Sequence, residues 1–567
     1  EEGYVLLCRA RALDEPLTIR LAARLEGEKG QFTKDGDDRG LIDAALLPKP
    51  EDIDPIVRTI TIHVARPAPG DGLSDFDRFE RAVMGAAGTN AIELPLPLLR
   101  ELPEALRRED GRISLAYRLQ NGSARIIDIK PLPTKRGEAP EASEAFGIAV
   151  DIGTTTVAVQ LVNLSTGEAL ASKTAYNAQI ECGLDVISRI NWAQKPERLE
   201  ELRAKILGTI NKLTGELAES CGIQRMRILC ASVAGNTTMA HLILGIQPEH
   251  IRLDPYVPAF HRSPEYGAGE LGLDINPQAP VRFAPSVGSY VGGDITSGLL
   301  CTSLASDSDE VCLFIDIGTN GEIVVGNAEF MLSCACSAGP AFEGGGIDCG
   351  MRASAGAIEW ADADAETGMP SCSVIGGGKP AGICGSGMIS LVASLFETGW
   401  LDAGGRLDRS RPCGAIGAEG RAARYILAEA GESESGRPVY VSETDIANVV
   451  RAKAAIFSAC RVLLGKVGMC FSDLAWVYVA GGFGRYLDIG KAQTIGLLPG
   501  LPKEKFRFIG NSSLMGAYMT LVSAKHREKE EALARRLTYV DLGAEPEYMG
   551  EYTAALFLPH TDKGLFS

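Results

Sequence analysis

Twice in this chain of 567 residues a short apolar strand runs into the same four residues, Asp-Ile-Gly-Thr. The first copy is Ile148-Ala149-Val150-Asp151-Ile152-Gly153-Thr154-Thr155-Thr156. The second is Leu313-Phe314-Ile315-Asp316-Ile317-Gly318-Thr319-Asn320-Gly321-Glu322. An apolar strand buries itself in a sheet, so its Asp emerges at the strand end, where it can hold a hydrated Mg²⁺ or orient a water. Gly153 and Gly318 let the backbone fold tightly enough for N–H groups to reach phosphate oxygens. The neighbouring Thr hydroxyls add donors. One Asp-x-Gly-Thr alone is compatible with an ordinary strand-end turn. Two copies, each followed by a hairpin, predict a duplicated α/β ATPase core with one phosphate loop from each half.

The rest of each half repeats the resemblance. In the first, strands at 157–163 and 168–176 are joined by Ser165-Thr166-Gly167. In the second, strands at 322–326 and 330–333 are joined by Asn327-Ala328-Glu329. Later in each half an apolar strand ends in Val-Ala-Gly, at 233–235 and 479–481. The second half has gained material between its two loops, around 340–450. Helices are expected at 198–220 and 445–467, and the charged stretch 525–536 reads as a solvated surface helix. The side-chain-free loop Ala480-Gly481-Gly482-Phe483-Gly484 lets backbone pack against a flat purine or its ribose. It would serve equally as a plain approach to a helix.

Upstream, 51–145 reads as a small α/β unit. A strand covers 55–65, Ser74 caps a helix to about 87, and a Pro-interrupted helix covers 94–107. Strands 112–119 and 124–129 meet across Asn121-Gly122, a type I′ turn signal. The Pro- and charge-rich stretch 131–140 and the polar stretch 21–50 read as linkers. Residues 4–19 read as strand, Cys8, loop and strand.

Net charge is −17, which argues against nucleic acid as the main partner, because phosphate backbones demand a basic face. It does not argue against ATP, which a few local donors can hold. The 14 Cys have no C-x-x-C and no regular spacing, so reduced, mostly buried thiols are expected. No apolar run approaches the roughly 20 residues of a membrane span and no signal peptide is visible, which points to the cytoplasm. There is no Walker A sequence, no G-x-S-x-G and no His-Glu-x-x-His. With six His, a His-based metal site or triad is not expected; His241 reads as a core or surface residue. Of the remaining Gly-rich stretches, Asp294 suits a metal's outer shell or a helix N-cap equally. Glu322 and Glu343 could orient a water, and Gly339 could approach the base or ribose.

Together these residues resemble the sugar kinase, heat-shock chaperone and actin superfamily of ATPases. The match to its phosphate-1 motif is 151–156, to phosphate-2 316–322, and to the adenosine motif Gly481-Gly482. Within it the chain resembles the reductive activators of corrinoid-dependent methyltransferase systems. The supporting stretches are Val233-Ala234-Gly235-Asn236-Thr237-Thr238-Met239, Tyr290-Val291-Gly292-Gly293-Asp294, the second Asp-Ile-Gly-Thr strand and Gly510-Asn511-Ser512-Ser513-Leu514-Met515-Gly516-Ala517. The resemblance implies an α/β fold: a two-lobed duplicated actin-like ATPase with ribonuclease H-like halves, lobe I about 146–305 and lobe II about 306–567. A small α/β domain (51–145) and a linker (21–50) precede it. Residues 1–20 resemble the end of a plant-type [2Fe–2S] ferredoxin domain, with Cys8 as one cluster ligand.

The resemblance further implies catalytic roles for Asp151, Asp316 and Glu322. It implies ATP contacts from Gly153, Thr154, Thr155, Thr156, Asn236, Gly318, Thr319, Asn320, Gly339, Gly481 and Gly482, and Mg²⁺ near Asp151, Asp294 and Asp316. The implied activity is ATP-dependent reduction of an inactive Co(II) corrinoid protein to Co(I), with electrons relayed by an N-terminal iron–sulfur domain. The partner would be a corrinoid protein or corrinoid-dependent methyltransferase, with no nucleic acid and no membrane; a homodimer is compatible. The sequence given lacks three of the four cluster ligands, so it is expected to bind ATP and the corrinoid protein without passing electrons, the [2Fe–2S] cluster belonging to a full-length form. A small-molecule kinase and a chaperone-like ATPase remain alternatives on the same core. An activator of 2-hydroxyacyl-CoA dehydratases fits less well for want of a suitable Cys pair.

Overall fold

The computed structural model describes residues 32–33, 42–68, 70–132, 144–419, 422–481 and 487–566. Cys8 and Gly482 lie outside these.

Two sheets carry the duplication. The first has seven strands in the order Phe32–Thr33, Ala169–Tyr176, Thr156–Asn163, Phe146–Ile152, Ile228–Gly235, Pro280–Phe283 and Tyr266–Gly267. The second has six: Phe506–Phe508, Trp476–Ala480, Cys312–Ile317, Gly321–Gly326, Met331–Cys336 and Leu537–Tyr539. In both, the Asp-Ile-Gly-Thr strand is central. It pairs antiparallel with the strand that follows it and parallel with the Val-Ala-Gly strand. Being flanked on both sides, these strands are apolar almost throughout, and Ile148, Ala149, Val150, Leu313, Phe314 and Ile315 are fully buried. The gained material in the second half forms two three-stranded sheets, Ala357–Ala363 with Pro370–Val374 and Gly382–Ile383, and Ile416–Glu419 with Ala422–Ala428 and Val439–Ser442.

Local chemistry sets the helix ends. Ser74 caps Asp75–Ala87 in a capping box with Asp77, and Gly88 ends it in the left-handed conformation. Ser442 caps Glu443–Lys466 with Asp445 in the same way, and Pro196 opens Pro196–Ser220. The hairpin of Arg112–Gln120 and Ser123–Pro131 turns at Asn121 (φ 51°) and Gly122 (φ 78°), as a type I′ turn requires. Asp294 is not an N-cap: helix Gly293–Leu299 begins one residue earlier, capped by Gly292, and the Asp294 carboxylate accepts from its neighbour's Ile295 N–H at 2.9 Å.

One core joins the two lobes. Ala149, Ala158 and Cys230 of the first sheet, Phe314, Val324 and Tyr478 of the second, and helices Gly293–Leu299 and Ser512–Val522 bury their apolar sides in a single cluster. Ser512–Val522 follows the edge strand Phe506–Phe508 of the second sheet yet packs on the first, where Thr520 and Ser232 hydroxyls meet at 2.8 Å. The two helices cross where side chains vanish. A Cβ on Gly516 would lie 2.1 Å from the Ser297 carbonyl oxygen, and one on Gly298 would lie 2.7 Å from the Ser512 hydroxyl. The upstream segment is tied to the same helix, with Asp54 and Ile56 N–H groups donating to the carbonyls of Val522 and Leu521. Helix Ala524–Arg536 is less solvated than its charge suggests. Glu530 is fully buried, accepting from the Ser297 hydroxyl at 2.6 Å and paired with Arg282 at 2.6 Å; a buried charge persists because it is paired.

At the other end, Lys453 is fully buried and its ammonium donates to the carbonyls of Phe557 (2.6 Å) and Pro559 (2.7 Å), fastening the C-terminal segment to helix Glu443–Lys466. Burial lowers its pKa to about 7.

Gly516→Ala forces backbone against backbone and should cost about 1–3 kcal/mol of stability, read as a lower urea midpoint with an unchanged slope. Lys453 generates a pH dependence. Its folded pKa lies below the unfolded value, so between about 7 and the ordinary lysine range the unfolded chain binds more protons, and this contribution to stability grows as pH rises. Urea midpoints from pH 7 to 9 should therefore climb more steeply in the parent than in Lys453→Met; parallel curves would show that the lysine is not depressed.

Candidate functional site: the cleft between the lobes

The ends of the two central strands face each other across a cleft of about 380 Å³. Asp151, Gly153, Thr154, Thr155, Thr156 and Asn236 line it from lobe I. Asp316, Gly318, Thr319, Asn320, Glu322 and Gly481 line it from lobe II, and Asp294 and Glu343 complete it. The sequence-selected residues thus converge on one place, with three exceptions. Gly339 does not line the cleft; its left-handed φ of 77° turns the chain into the short Pro340–Glu343 helix. Gly482 and Cys8 are not among the described residues.

The repeated Val-Ala-Gly has a geometric cause. Asp151 is in register with Ala234 and Asp316 with Ala480, so each carboxylate has a methyl beside it. The following glycines allow the strands to close. A Cβ on Gly235 would lie 2.9 Å from the Ile152 carbonyl oxygen, and one on Gly481 2.4 Å from that of Ile317; Gly481 also holds φ at +111°.

The phosphate loops differ in length. Residues 153–156 connect the first hairpin and 318–320 the second. The shorter turn brings Glu322 directly opposite Asp316, a like-charge cross-strand pair; in lobe I the residue opposite Asp151 is Ala158. The first loop is held from behind by Asn177, whose side chain donates to the Gly153 carbonyl at 2.9 Å, and by buried Arg189, which donates to the Thr154 carbonyl. Asn236 donates to the Thr154 hydroxyl at 3.1 Å. Asp151 accepts from Asn511 (2.9 Å) and Ser513 (2.8 Å), both presented by the start of helix Ser512–Val522. The loops touch: Thr155 and Thr319 hydroxyls lie 3.3 Å apart, and both donate to Glu343, at 3.3 and 2.7 Å. Asn177 and Arg189 carry no motif that a sequence reader would select, whereas Asn511 and Ser513 fall in a stretch already singled out.

Charge accumulates at the base of the cleft. Burial, then Asp294, Asp151 and Glu343, push Asp316 up to about 8. Burial and Asp151 push Asp294 up to about 7. Glu322 is raised well above the carboxylate range by burial, Asp294 and Asp316. Asp151 is raised by burial, partly countered by Asn511 and Ser513. Among the described residues no three of His, Cys, Asp or Glu are gathered closely enough to ligate a metal directly. Mg²⁺ carried by a triphosphate and its waters fits this better than a dedicated all-protein cage. The same observation means that the described residues do not fit an iron–sulfur cluster. None of the 13 described cysteines is in a disulfide, and most are buried.

A second concavity of about 500 Å³ shares Asn320 with the cleft and is lined by Tyr256, Tyr290, Tyr539, Tyr548 and Tyr552. No described helix is long and apolar enough to cross a membrane.

Known proteins bear on this geometry. Residues 310–567 match the C-terminal domain of RACo, the ASKHA domain; 146–307 match the RACo middle region, and 49–136 the RACo linker region. The corrinoid activation enzyme RamQ of Eubacterium limosum is 36% identical over 438 residues, covering 76% of this chain and 72% of RamQ. The [Co(II) methylated amine-specific corrinoid protein] reductase of Methanosarcina barkeri is 25% identical over 428 residues, 69% of this chain and 73% of that one. Among solved structures, a reductive activator for corrinoid, iron-sulfur protein superposes with a TM-score of 0.82 at 42% identity, covering 91% of this chain and 81% of that one. With both phosphate loops of an actin-like ATPase meeting in one cleft and all three regions matched in order, the chain belongs to the RACo family of corrinoid reductive activators.

Proposed function

We propose that this chain is an ATP-dependent activator that returns a Co(II) corrinoid protein to Co(I), with the nucleotide gripped between Asp151–Thr156 loop residues of lobe I and their counterparts at 316–322. The observation that carries the reading is the direct contact of Thr155 and Thr319 across the cleft. Two phosphate loops from opposite halves lie close enough to hold one triphosphate. Family membership favours corrinoid activation over the kinase and chaperone alternatives left open by the core motifs.

In this reading Gly153, Gly318 and Gly481 offer close backbone approach, and Thr154, Thr155, Thr156, Thr319 and Asn320 supply donors to phosphate oxygens. Asp151, Asp294 and Asp316 would face the cation that accompanies the phosphates, whose charge would favour their ionised forms against the burial that raises all three. Glu322, opposite Asp316, orients water. Mg²⁺ supplies charge neutralisation when bound. The reduction itself takes one electron from a low-potential donor. Nucleotide contributes by changing how the two loops sit relative to each other, because the Thr155, Thr319 and Glu343 contacts must be shared with it. Work on the corrinoid partner then requires a partner contact that differs between the two arrangements.

Asp151→Ala and Asp316→Ala should each lower ATP hydrolysis by about a hundredfold or more while leaving the far-UV spectrum intact; unaltered phosphate release from either folded variant would remove the site assignment. Mixed with a purified Co(II) corrinoid protein and a chemical reductant too weak to act alone, a full-length form carrying the [2Fe–2S] domain should produce the Co(I) spectrum only when ATP is present. Phosphorylation of a small metabolite in place of that change would return the kinase alternative.

A further inference from the structure

The charged lining of the cleft is almost wholly acidic. Asp151, Asp294, Asp316, Glu322 and Glu343 line it, and among the described residues one cation does: Arg352. A nucleoside triphosphate adds still more negative charge, so the position of that cation matters.

Arg352 is placed by a rigid bracket. The glycine run after the Pro340–Glu343 helix folds back on the segment before Arg352. A Cβ on Gly350 would lie 2.2 Å from the Gly344 carbonyl oxygen, and one on Gly344 would lie 2.6 Å from that of Met351; Gly344 itself has φ +81°. The Met351 N–H donates to the Ile383 carbonyl at 2.9 Å. The bracket therefore fixes two neighbours at the cleft wall: Glu343, which accepts from both loop threonines, and Arg352.

The Arg352 side chain does not spend its charge on an acid. Among the described residues its guanidinium makes no ion pair or hydrogen bond. It lies over the ring of Tyr176, 4.1 Å from the centroid. Tyr176 ends a lobe I strand, two residues beyond Thr174, which also lines the cleft. A lobe II cation thus rests on a lobe I aromatic face at the rim of the nucleotide cleft. A cation–π contact is worth about 0.5–1 kcal/mol at an exposed site, less than the roughly 1.5–3 kcal/mol of a hydrogen bond to a charged group. A phosphate within reach would outcompete the ring.

Resting on the reading of the cleft as an ATP site, we propose that Arg352 is the residue that recognises the terminal phosphate, exchanging the Tyr176 ring for phosphate oxygens and so distinguishing ATP from ADP. The Tyr176 contact acts as a latch between lobes that only a nucleotide with the additional phosphate releases. Arginine suits this role because its planar fork binds phosphate with two parallel hydrogen bonds and also stacks on an aromatic face; lysine does neither equally well.

The test is equilibrium displacement of a fluorescent ADP from the whole chain by ATP and by ADP, with Mg²⁺. Arg352→Ala should weaken ATP about tenfold to a hundredfold and ADP by less than about threefold. Arg352→Lys should restore part of the ATP affinity with a steeper salt dependence. Tyr176→Leu frees the cation and should tighten ATP, or leave it unchanged, without affecting ADP. Thermal melts confirm that the variants are folded. Equal losses for ATP and ADP in folded Arg352→Ala, or no loss for either, would overturn the assignment. Failure of the parent chain to bind either nucleotide would instead overturn the ATP reading on which it rests.

Discussion

Asp151, Asp294 and Asp316 are half-buried and Glu322 is buried at the base of one cleft, within electrostatic reach of one another, and the causes of their raised pKa values include no neighbouring Lys or Arg. This is the constraint to which the rest of the structure answers. Buried carboxylates left without a counter-charge disfavour the folded state, whether they ionise or hold on to their protons. A fold carries such a group only if strong packing elsewhere fixes the surrounding backbone. Here that packing is the apolar core shared by both lobes, with helices Gly293–Leu299 and Ser512–Val522 crossing backbone to backbone at Gly516 and Ser297. The same crossing sets Asn511 and Ser513 on Asp151. Stability and site geometry are therefore one design: the element that unites the lobes also orients the first carboxylate.

Much of this was legible in the sequence, and the reasons are physical. A strand flanked on both sides must be apolar throughout, so its ending in Asp-Ile-Gly-Thr is conspicuous, and a second copy signals duplication. Val-Ala-Gly repeats because the carboxylate beside it leaves room for a methyl and the next residue for no side chain at all. Ser74 with Asp77, Ser442 with Asp445, and Asn121-Gly122 mark element ends through hydrogen bonds that span three residues or fewer. The less legible features depend on partners far away in the chain. Nothing local distinguishes Arg189 from a surface arginine, yet it supports the first phosphate loop. The 525–536 stretch reads as solvated because its composition is charged, whereas Glu530 is buried by a pairing with Arg282 that sequence spacing cannot reveal. Gly339 stands where the chain turns into the Pro340–Glu343 helix, outside the lining of the cleft.

The two lobes are alike in topology and unlike in chemistry: the second loop is one residue shorter, and the residue opposite its Asp is Glu322 where the first lobe has Ala158. The shorter second turn sets Glu322 against Asp316, while the longer first turn leaves Asp151 opposite Ala158. Lobe I thus presents one carboxylate satisfied by Asn511 and Ser513, and lobe II presents a like-charge pair in which Glu322 is hydrogen-bonded by Asn320. Duplication supplied the matching frame; a change in one hairpin supplied the asymmetry that a reaction with a direction demands.

Coupling to a partner requires that the second loop be felt outside the cleft. Asn320 provides a physical link, because it lines both the cleft and the neighbouring tyrosine-rich concavity. The loop is short, its Gly318 N–H is bonded to the Asn320 carbonyl at 3.0 Å, and Gly321 is wedged against Cys336 and Ile456 with no space for a side chain. A loop so confined responds to a ligand by shifting as a unit rather than by loosening, since packed interiors move between discrete arrangements. Any displacement imposed at Thr319 is then carried to both surfaces that Asn320 borders, which is the geometric minimum for a nucleotide to alter a contact it does not itself touch.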